Sequence, residues 1–345
     1  MAIGNNYEYG LVDFSYVLSR NLYAASKDKK VGEYDEGDII RITIQTINKL
    51  ARDYNINCEK IVFLADRWDK NIGGYIRHYI LKDYVDYKGT RKWMTEELLE
   101  SMRNDPTVTP EQIEKAEIEL YQNQVKRKAK AAITKEFKNL GMPVLGVDGY
   151  EADDLAYIAS CCLYNENRQK KSILITKDSD QLYALSPIVS YFKLPTMGST
   201  PKVITYEEMY ETIPEPLKQR DVSLYEYNAY MNSLGFSHND NKKTIKSGVE
   251  PVNAIIHILD GDYSDLIPGK LDTFLIQMKS FDVNSFPRIQ EAVDLIYNHL
   301  ESDGIIGNLD TFHTFCDKYH ITGISDKYFS DFISRFDERL YSKKL

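Results

Sequence analysis

Short apolar runs that end in an acid recur along this chain. Tyr9 to Val12 runs into Asp13, and Ile61-Val62-Phe63-Leu64-Ala65 into Asp66. Pro143 to Val147 leads to Glu151, Asp153 and Asp154, and Ser172-Ile173-Leu174-Ile175-Thr176 leads to Asp178 and Asp180. Such runs read as buried strands. Val189 to Phe192 and Val203 to Ile204 predict further short strands. Helical patterns separate them: Phe14 to Ala25, Asp35 to Tyr54 with Ile39, Ile42, Ile47 and Leu50 on one side, Thr95 to Asn104, and Leu155 to Leu163. Thr109 as N-cap and Pro110 at the first helical position open a longer helix that runs to Leu140 and stops at Gly141. Strands alternating with helices predict an α/β fold with a doubly wound, mainly parallel sheet, whose ligands bind at the carboxyl ends of the strands.

The character changes after about residue 205. Glu207 to Tyr230 reads as helical and rich in Tyr, Asn232 to Gly248 as a polar loop, and Pro251 to Leu259 as a helix start. The expected division is a core over 1–205, with an insertion near 88–138, and a largely helical part over 206–345. With 345 residues, 43% of them hydrophobic, and 26 Tyr, the chain can build a proper core. No apolar run approaches the roughly 20 residues of a membrane helix, so no membrane partner is expected. The N-terminus lacks a signal-peptide pattern. Cys58, Cys161, Cys162 and Cys316 have no metal-ligand spacing and point to a reducing compartment. The expected location is therefore the cytoplasm. The net charge of −9 counts against a uniformly basic nucleic-acid binder, but the distribution of charge matters more than its sum.

Chemistry concentrates in Gly149-Tyr150-Glu151-Ala152-Asp153-Asp154. Acids in a first helical turn are favoured by the helix dipole, and a strand-terminal Asp13 serves equally as an N-cap. Those roles do not explain three carboxylates packed within four residues, which repel unless a cation lies between them. Clustered hard oxygen ligands suit Mg²⁺ or Mn²⁺. Basic residues gather elsewhere. Arg77-His78 and Tyr87-Lys88-Gly89-Thr90-Arg91-Lys92 mix cations with aromatics, a pattern suited to phosphate contact and stacking as well as to a solvated loop. The long helix is acidic at first (Glu111, Glu114, Glu117, Glu119) and then carries Lys126, Arg127, Lys128, Lys130, Lys135 and Lys138. That second half is either a solvated face or a grip for phosphates.

Taken in order, the motifs resemble the 5′ nuclease (flap endonuclease) superfamily, which includes the 5′-exonuclease domain of bacterial DNA polymerase I and phage enzymes called RNase H or 5′-exonuclease. They are Leu11-Val12-Asp13, Phe63-Leu64-Ala65-Asp66, Tyr87 to Arg91, Gly149 to Asp154, Thr176-Lys177-Asp178-Ser179-Asp180, and Gly261 to Gly269. The chain length best suits a stand-alone, phage-type member, so a phage-encoded copy would act in the host cytoplasm. Leu266 replaces the usual Asn after Ser264-Asp265, and Lys270-Leu271-Asp272 stands where a second glycine turn is expected. Lys242, Lys243 and Lys246 then become candidates for gripping duplex.

The resemblance implies a PIN-like core with a helical arch and a two-metal phosphodiesterase site. Asp13, Asp66, Glu151 and Asp153 would hold the first Mg²⁺, and Asp178, Asp180 and Asp262 the second, with Asp154 and Asp265 as outer ligands; Mn²⁺ would substitute. Lys88 and Arg91 would contact the scissile phosphate, with Arg77 a further candidate. Tyr87, Lys92, Lys126, Arg127, Lys128 and Lys130 would contact nucleic acid. The implied activities are 5′–3′ exonuclease, flap endonuclease and RNase H-type primer removal during DNA replication. Expected partners are DNA with a 5′ flap or single-stranded 5′ end, an RNA/DNA hybrid, and replication proteins such as a polymerase or single-strand-binding protein, with a monomer as the default state. Two alternatives stay open: a PIN-like single-strand ribonuclease, and a non-catalytic binder of DNA structures on the same fold.

Overall fold

The computed structural model describes residues 5–84, 94–165, 171–195, 200–236, 243–262, 265–301 and 309–324. The strands are β1 (Asn5–Asp13), β2 (Ile56–Leu64), β3 (Val144–Leu145), β4 (Ser172–Thr176), β5 (Val189–Lys193) and β6 (Lys202–Ile204). Their order in the sheet is β3-β2-β1-β4-β5-β6, that of a doubly wound sheet. Phe63 N–H donates to Pro143 O and Ala65 N–H to Leu145 O, an advance by two on both sides that makes β2 and β3 parallel. β4 and β5 are parallel, with Leu174 opposite Tyr191, while the edge strand β6 is antiparallel, with Val203 opposite Phe192. β4 is buried at every residue, as expected of a strand covered on both faces.

The helices are, in order, α1 (Phe14–Ser26), α2 (Glu36–Asp53), α3 (Ile76–Leu81), α4 (Glu96–Asn104), α5 (Pro110–Glu136), α6 (Ala152–Asn165), α7 (Tyr206–Tyr210), α8 (Glu215–Lys218), α9 (Leu224–Leu234), α10 (Pro251–Leu259), α11 (Leu271–Lys279), α12 (Ile289–Glu301) and α13 (Leu309–Lys318). Local chemistry sets their ends. The Thr109 side chain accepts from Gln112 N–H, and the Gln112 side chain accepts from Thr109 N–H, closing a capping box at the start of α5. Asp35 and Thr95 cap α2 and α4 in the ordinary way. The end of α5 tightens into a 3-10 turn, Phe137–Leu140, closed by Gly141 at φ 78°.

The Tyr-rich stretch after residue 205 is helical, as its pattern predicts, but divided. It forms three short helices, α7, α8 and α9. Pro214 and Pro216 interrupt the backbone hydrogen bonding, and Asp221 at φ 56° turns the chain before Ser223 caps α9. Among the described residues no helix is long and apolar enough to cross a membrane. All four cysteines are free thiols.

The chain divides into two compact units that interleave along the sequence, 1–63 with 92–144 and 303–345, and 64–91 with 145–302. In the first unit a file of edge-on rings runs from Phe14 to Phe63 (5.5 Å), Phe137 (5.7 Å) and Phe315 (5.9 Å), joining α1, β2, the end of α5 and α13. Between α1 and α2 the fully buried Asn21 donates to Thr43 Oγ1 at 2.9 Å, so that the polar groups remain paired. The Tyr121 hydroxyl on α5 donates to the Tyr34 carbonyl, and Lys126 donates to Ser19 Oγ at 2.6 Å.

The second unit packs α6 against α12 and against the 3-10 turn Ser179–Ala184 that follows β4. Buried Gln277 on α11 donates to the Ser233 carbonyl on α9 at 2.7 Å. Phe63 is the second of the four rings of the aromatic file in the first unit and has no exposed surface. Phe63→Ala is expected to cost about 3–5 kcal/mol, read as a lower urea midpoint at unchanged slope.

Candidate active site

β1 runs directly into Asp13, β2 is followed by Ala65-Asp66, and β4 by Lys177-Asp178. In the second unit one of these acids reaches across the chain. Asp66 Oδ1 accepts the N–H of Ala152, the first residue of α6, at 2.8 Å. A carboxylate 86 residues away thus satisfies a donor that the helix start leaves open. Asp153 and Asp154 lie in the same first turn, and Glu151 immediately precedes it. Gly149 makes the approach possible. It adopts φ 88°, and a Cβ there would lie 3.0 Å from Ile76 Cγ1, so a side chain is disfavoured both by conformation and by space.

Arg77, on α3, enters this cluster. Its Nη1 donates to Asp153 Oδ2 at 2.9 Å, and its Nη2 to Asp154 Oδ1 at 2.5 Å. Glu151 Oε2 lies 3.6 Å from Nη1. The guanidinium is itself held: Nε donates to the Ser280 carbonyl at 3.1 Å, and the Phe281 ring centroid lies 5.5 Å from its carbon. Arg77 is 5% exposed and Glu151 fully buried. Asp154 accepts a second hydrogen bond, from Glu151 N–H at 3.0 Å. The Asp154 carboxyl is raised to about 7, chiefly because burial outweighs the opposing pull of the Arg77 guanidinium, with Asp153 and Glu151 adding to the rise.

Asp66, Glu151, Asp153, Asp154 and Arg77 therefore form one charged cluster, although the acids and Arg77 come from different sequence motifs. The other acids occupy varied places. Asp13 caps α1 in the first unit, accepting from Tyr16 N–H at 2.9 Å. Asp178 is exposed, and Asp180 belongs to the 3-10 turn that packs on α6. Asp262, exposed after α10, lies 3.5 Å from His257 Nδ1, and Asp265 is exposed nearby in sequence. Tyr87, Lys88, Arg91 and Lys92 lie outside the described residues. On α5, Arg127 and Lys128 are exposed, whereas Lys126 and Lys130 are half-buried.

The donor set has the chemistry of a divalent-cation site: four carboxylates against one guanidinium, with hard oxygens throughout. Among the described residues no group of three or more His, Cys, Asp or Glu adopts a metal-holding arrangement. The geometry supplies the reason, because Asp153 and Asp154 turn toward Arg77, which acts as their counter-cation.

No protein-family model matches the sequence, and no curated protein matches it. Solved structures do. The chain is similar to the bacteriophage T5 D15 protein crystallised with metal ions, at 17% identity and a TM-score of 0.46, covering 92% of this chain and 98% of that one. A pseudo-enzyme-product complex of the T5 D15 flap endonuclease with DNA and metal ions is similar at 17% identity and 0.45, covering 96% and 100%. Human GEN1 in complex with Holliday junction DNA is similar at 13% identity and 0.45, covering 91% and 68%.

Removing Arg77 would leave buried carboxylates without their partner. Arg77→Met is expected to cost about 3–5 kcal/mol in urea titrations with EDTA. With Mg²⁺ present the gap to the parent protein should narrow, because a second cation can then neutralise the acids.

Proposed function

We propose that this protein is a 5′ nuclease, a Mg²⁺-dependent 5′–3′ exonuclease and flap endonuclease acting on DNA in the cytoplasm. The observation that carries this reading is the charged cluster at the start of α6, where Glu151, Asp153 and Asp154 gather around Arg77 and Asp66 takes the first helical N–H. The motif order along the chain supports it, since acids follow β1, β2 and β4 and recur at Asp262 and Asp265.

Asp66, Glu151 and Asp153 would hold one ion, and Asp178, Asp180 and Asp262 the other. Divalent ions bound there supply a nucleophilic water at neutral pH and stabilise the departing 3′ oxygen. Asp154, gripped by Arg77 and by the Glu151 N–H, is built to orient its neighbours rather than to ligate directly. Arg77 offsets the negative charge that would otherwise repel a phosphodiester. Lys88 and Arg91 are the proposed contacts to the scissile phosphate, and the basic half of α5, with exposed Arg127 and Lys128, the contact to the strand backbone. Removal of RNA primers during replication is the proposed biological use, since an RNA/DNA hybrid presents the same 5′ end.

One observation favours a second reading. Arg77 already pairs with the acids, as it would in a DNA-structure binder that has lost turnover.

A 5′-labelled DNA flap and a 5′-RNA/DNA hybrid, each incubated with protein in Mg²⁺ or EDTA, separate the two. The nuclease reading expects short products released only with Mg²⁺; binding without cleavage in Mg²⁺ or Mn²⁺ would establish the binder. Asp153→Asn and Asp180→Asn are each expected to lower cleavage at least about 100-fold while leaving the circular dichroism spectrum unchanged. Full activity in either folded variant would refute the ligand assignment.

A further inference from the structure

Between Asp66 and Arg77 the chain makes a closed hairpin. Asp69 and Gly74 exchange two backbone hydrogen bonds, both 3.1 Å. Inside the turn Asp69 Oδ1 accepts from Asn71 N–H at 2.8 Å, and Gly73 takes φ 65°. Asp69 Oδ2 accepts from Arg288 at 2.6 Å. Both stems are bonded to the segment that leads into α6: Arg67 N–H donates to Tyr150 O (3.0 Å), Gly149 N–H to Arg67 O (2.8 Å), and Ile76 N–H to Gly149 O (2.8 Å). The hairpin is therefore fixed to the backbone that presents Glu151.

This rigid turn carries Trp68 with 51% of its surface exposed. The indole is held edge-on by Tyr75, with ring centroids 5.6 Å apart and planes at 75°. Burial does not account for an indole in that position, because half of the residue still faces water. Exposed cations accompany it. Lys70 lies two residues on; Arg67 is exposed but already paired with Asp148 at 2.6 Å. Further along, the exposed Tyr79 ring has Lys82 Nζ 4.5 Å from its centroid. Aromatic faces with interspersed cations are what a single strand needs, since every base has a π-face and every step a phosphate.

We infer that Trp68 is a base-stacking residue that receives an unstacked nucleobase of a single-stranded segment beside the acidic cluster, with Lys70 meeting the adjoining phosphate. The inference rests on the nuclease reading only for its choice of ligand. Stacking on one side chain changes affinity about 5- to 100-fold, so Trp68→Ala should weaken binding by that factor and raise KM more than it lowers kcat. Trp68→Phe should keep most of the affinity.

A spectroscopic test separates stacking from support of the fold. The chain has two tryptophans, Trp68 and Trp93, so Trp93→Phe in an Asp153→Asn background leaves Trp68 as the reporter in a protein with cleavage suppressed. Titration in Mg²⁺ with a 5′-flap DNA should quench its emission, and a flap whose single-stranded residues are abasic should quench it far less. Anisotropy of labelled DNA reports binding independently. Saturated binding with unchanged Trp68 emission, or equal quenching by the abasic flap, would overturn the inference while leaving the nuclease reading intact. Failure of the parent protein to cleave the flap in Mg²⁺, with quenching preserved, would instead sink the nuclease reading and leave the stacking residue standing.

Discussion

A buried guanidinium among carboxylates is the interaction on which the second unit depends. Neither partner could be buried alone, since an uncompensated charge away from water is among the most costly features a fold can contain. Arg77 meets the acids with both terminal nitrogens and uses its third nitrogen on the Ser280 carbonyl, so one side chain connects α3, the start of α6 and the end of α11. The Asp66 carboxylate completes the arrangement from the end of β2, by taking the first N–H of α6. Stability and proposed chemistry thus share one set of atoms, as is common where ionisable groups gather at a functional site.

Much of this is legible in the sequence because it is local. Strands ending in acids, Thr109 as N-cap and the Gly141 stop depend on residues close in sequence, and the corresponding elements lie where the pattern puts them. The helical character of the Tyr-rich stretch after residue 205 is legible too, while its division into three short helices follows from two prolines that break the hydrogen-bond ladder. What sequence does not convey is long-range pairing. Nothing around Asp66 indicates that its partner is the backbone of Ala152, and nothing around Arg77 distinguishes a phosphate contact from a counter-ion for Asp153 and Asp154. Trp68 escapes a reading of the sequence for a related reason: a lone aromatic between Arg67 and Asp69 looks like any other apolar residue until its exposure is known.

The two units carry different physical burdens. The first is held by an unbroken file of aromatic rings and carries the basic half of α5, with its exposed cations. The second concentrates negative charge at one helix start and then limits that charge, through the helix dipole, Arg77, and the protonation that burial favours at Asp154. Opposite charges thus occupy separate stretches of one chain whose net charge is −9.

The hairpin between Asp66 and Arg77 has a consequence for how such a site can vary. Because Asp69 and Gly74 close it, and its stems are bonded to residues 149 and 150, the tip from Lys70 to Gly73 is insulated from the charges at its base. Residues could be gained or lost at that tip without changing where the acid and the arginine stand. The interval between the two along the chain is then set by the tip, and only the stem is held to a fixed length.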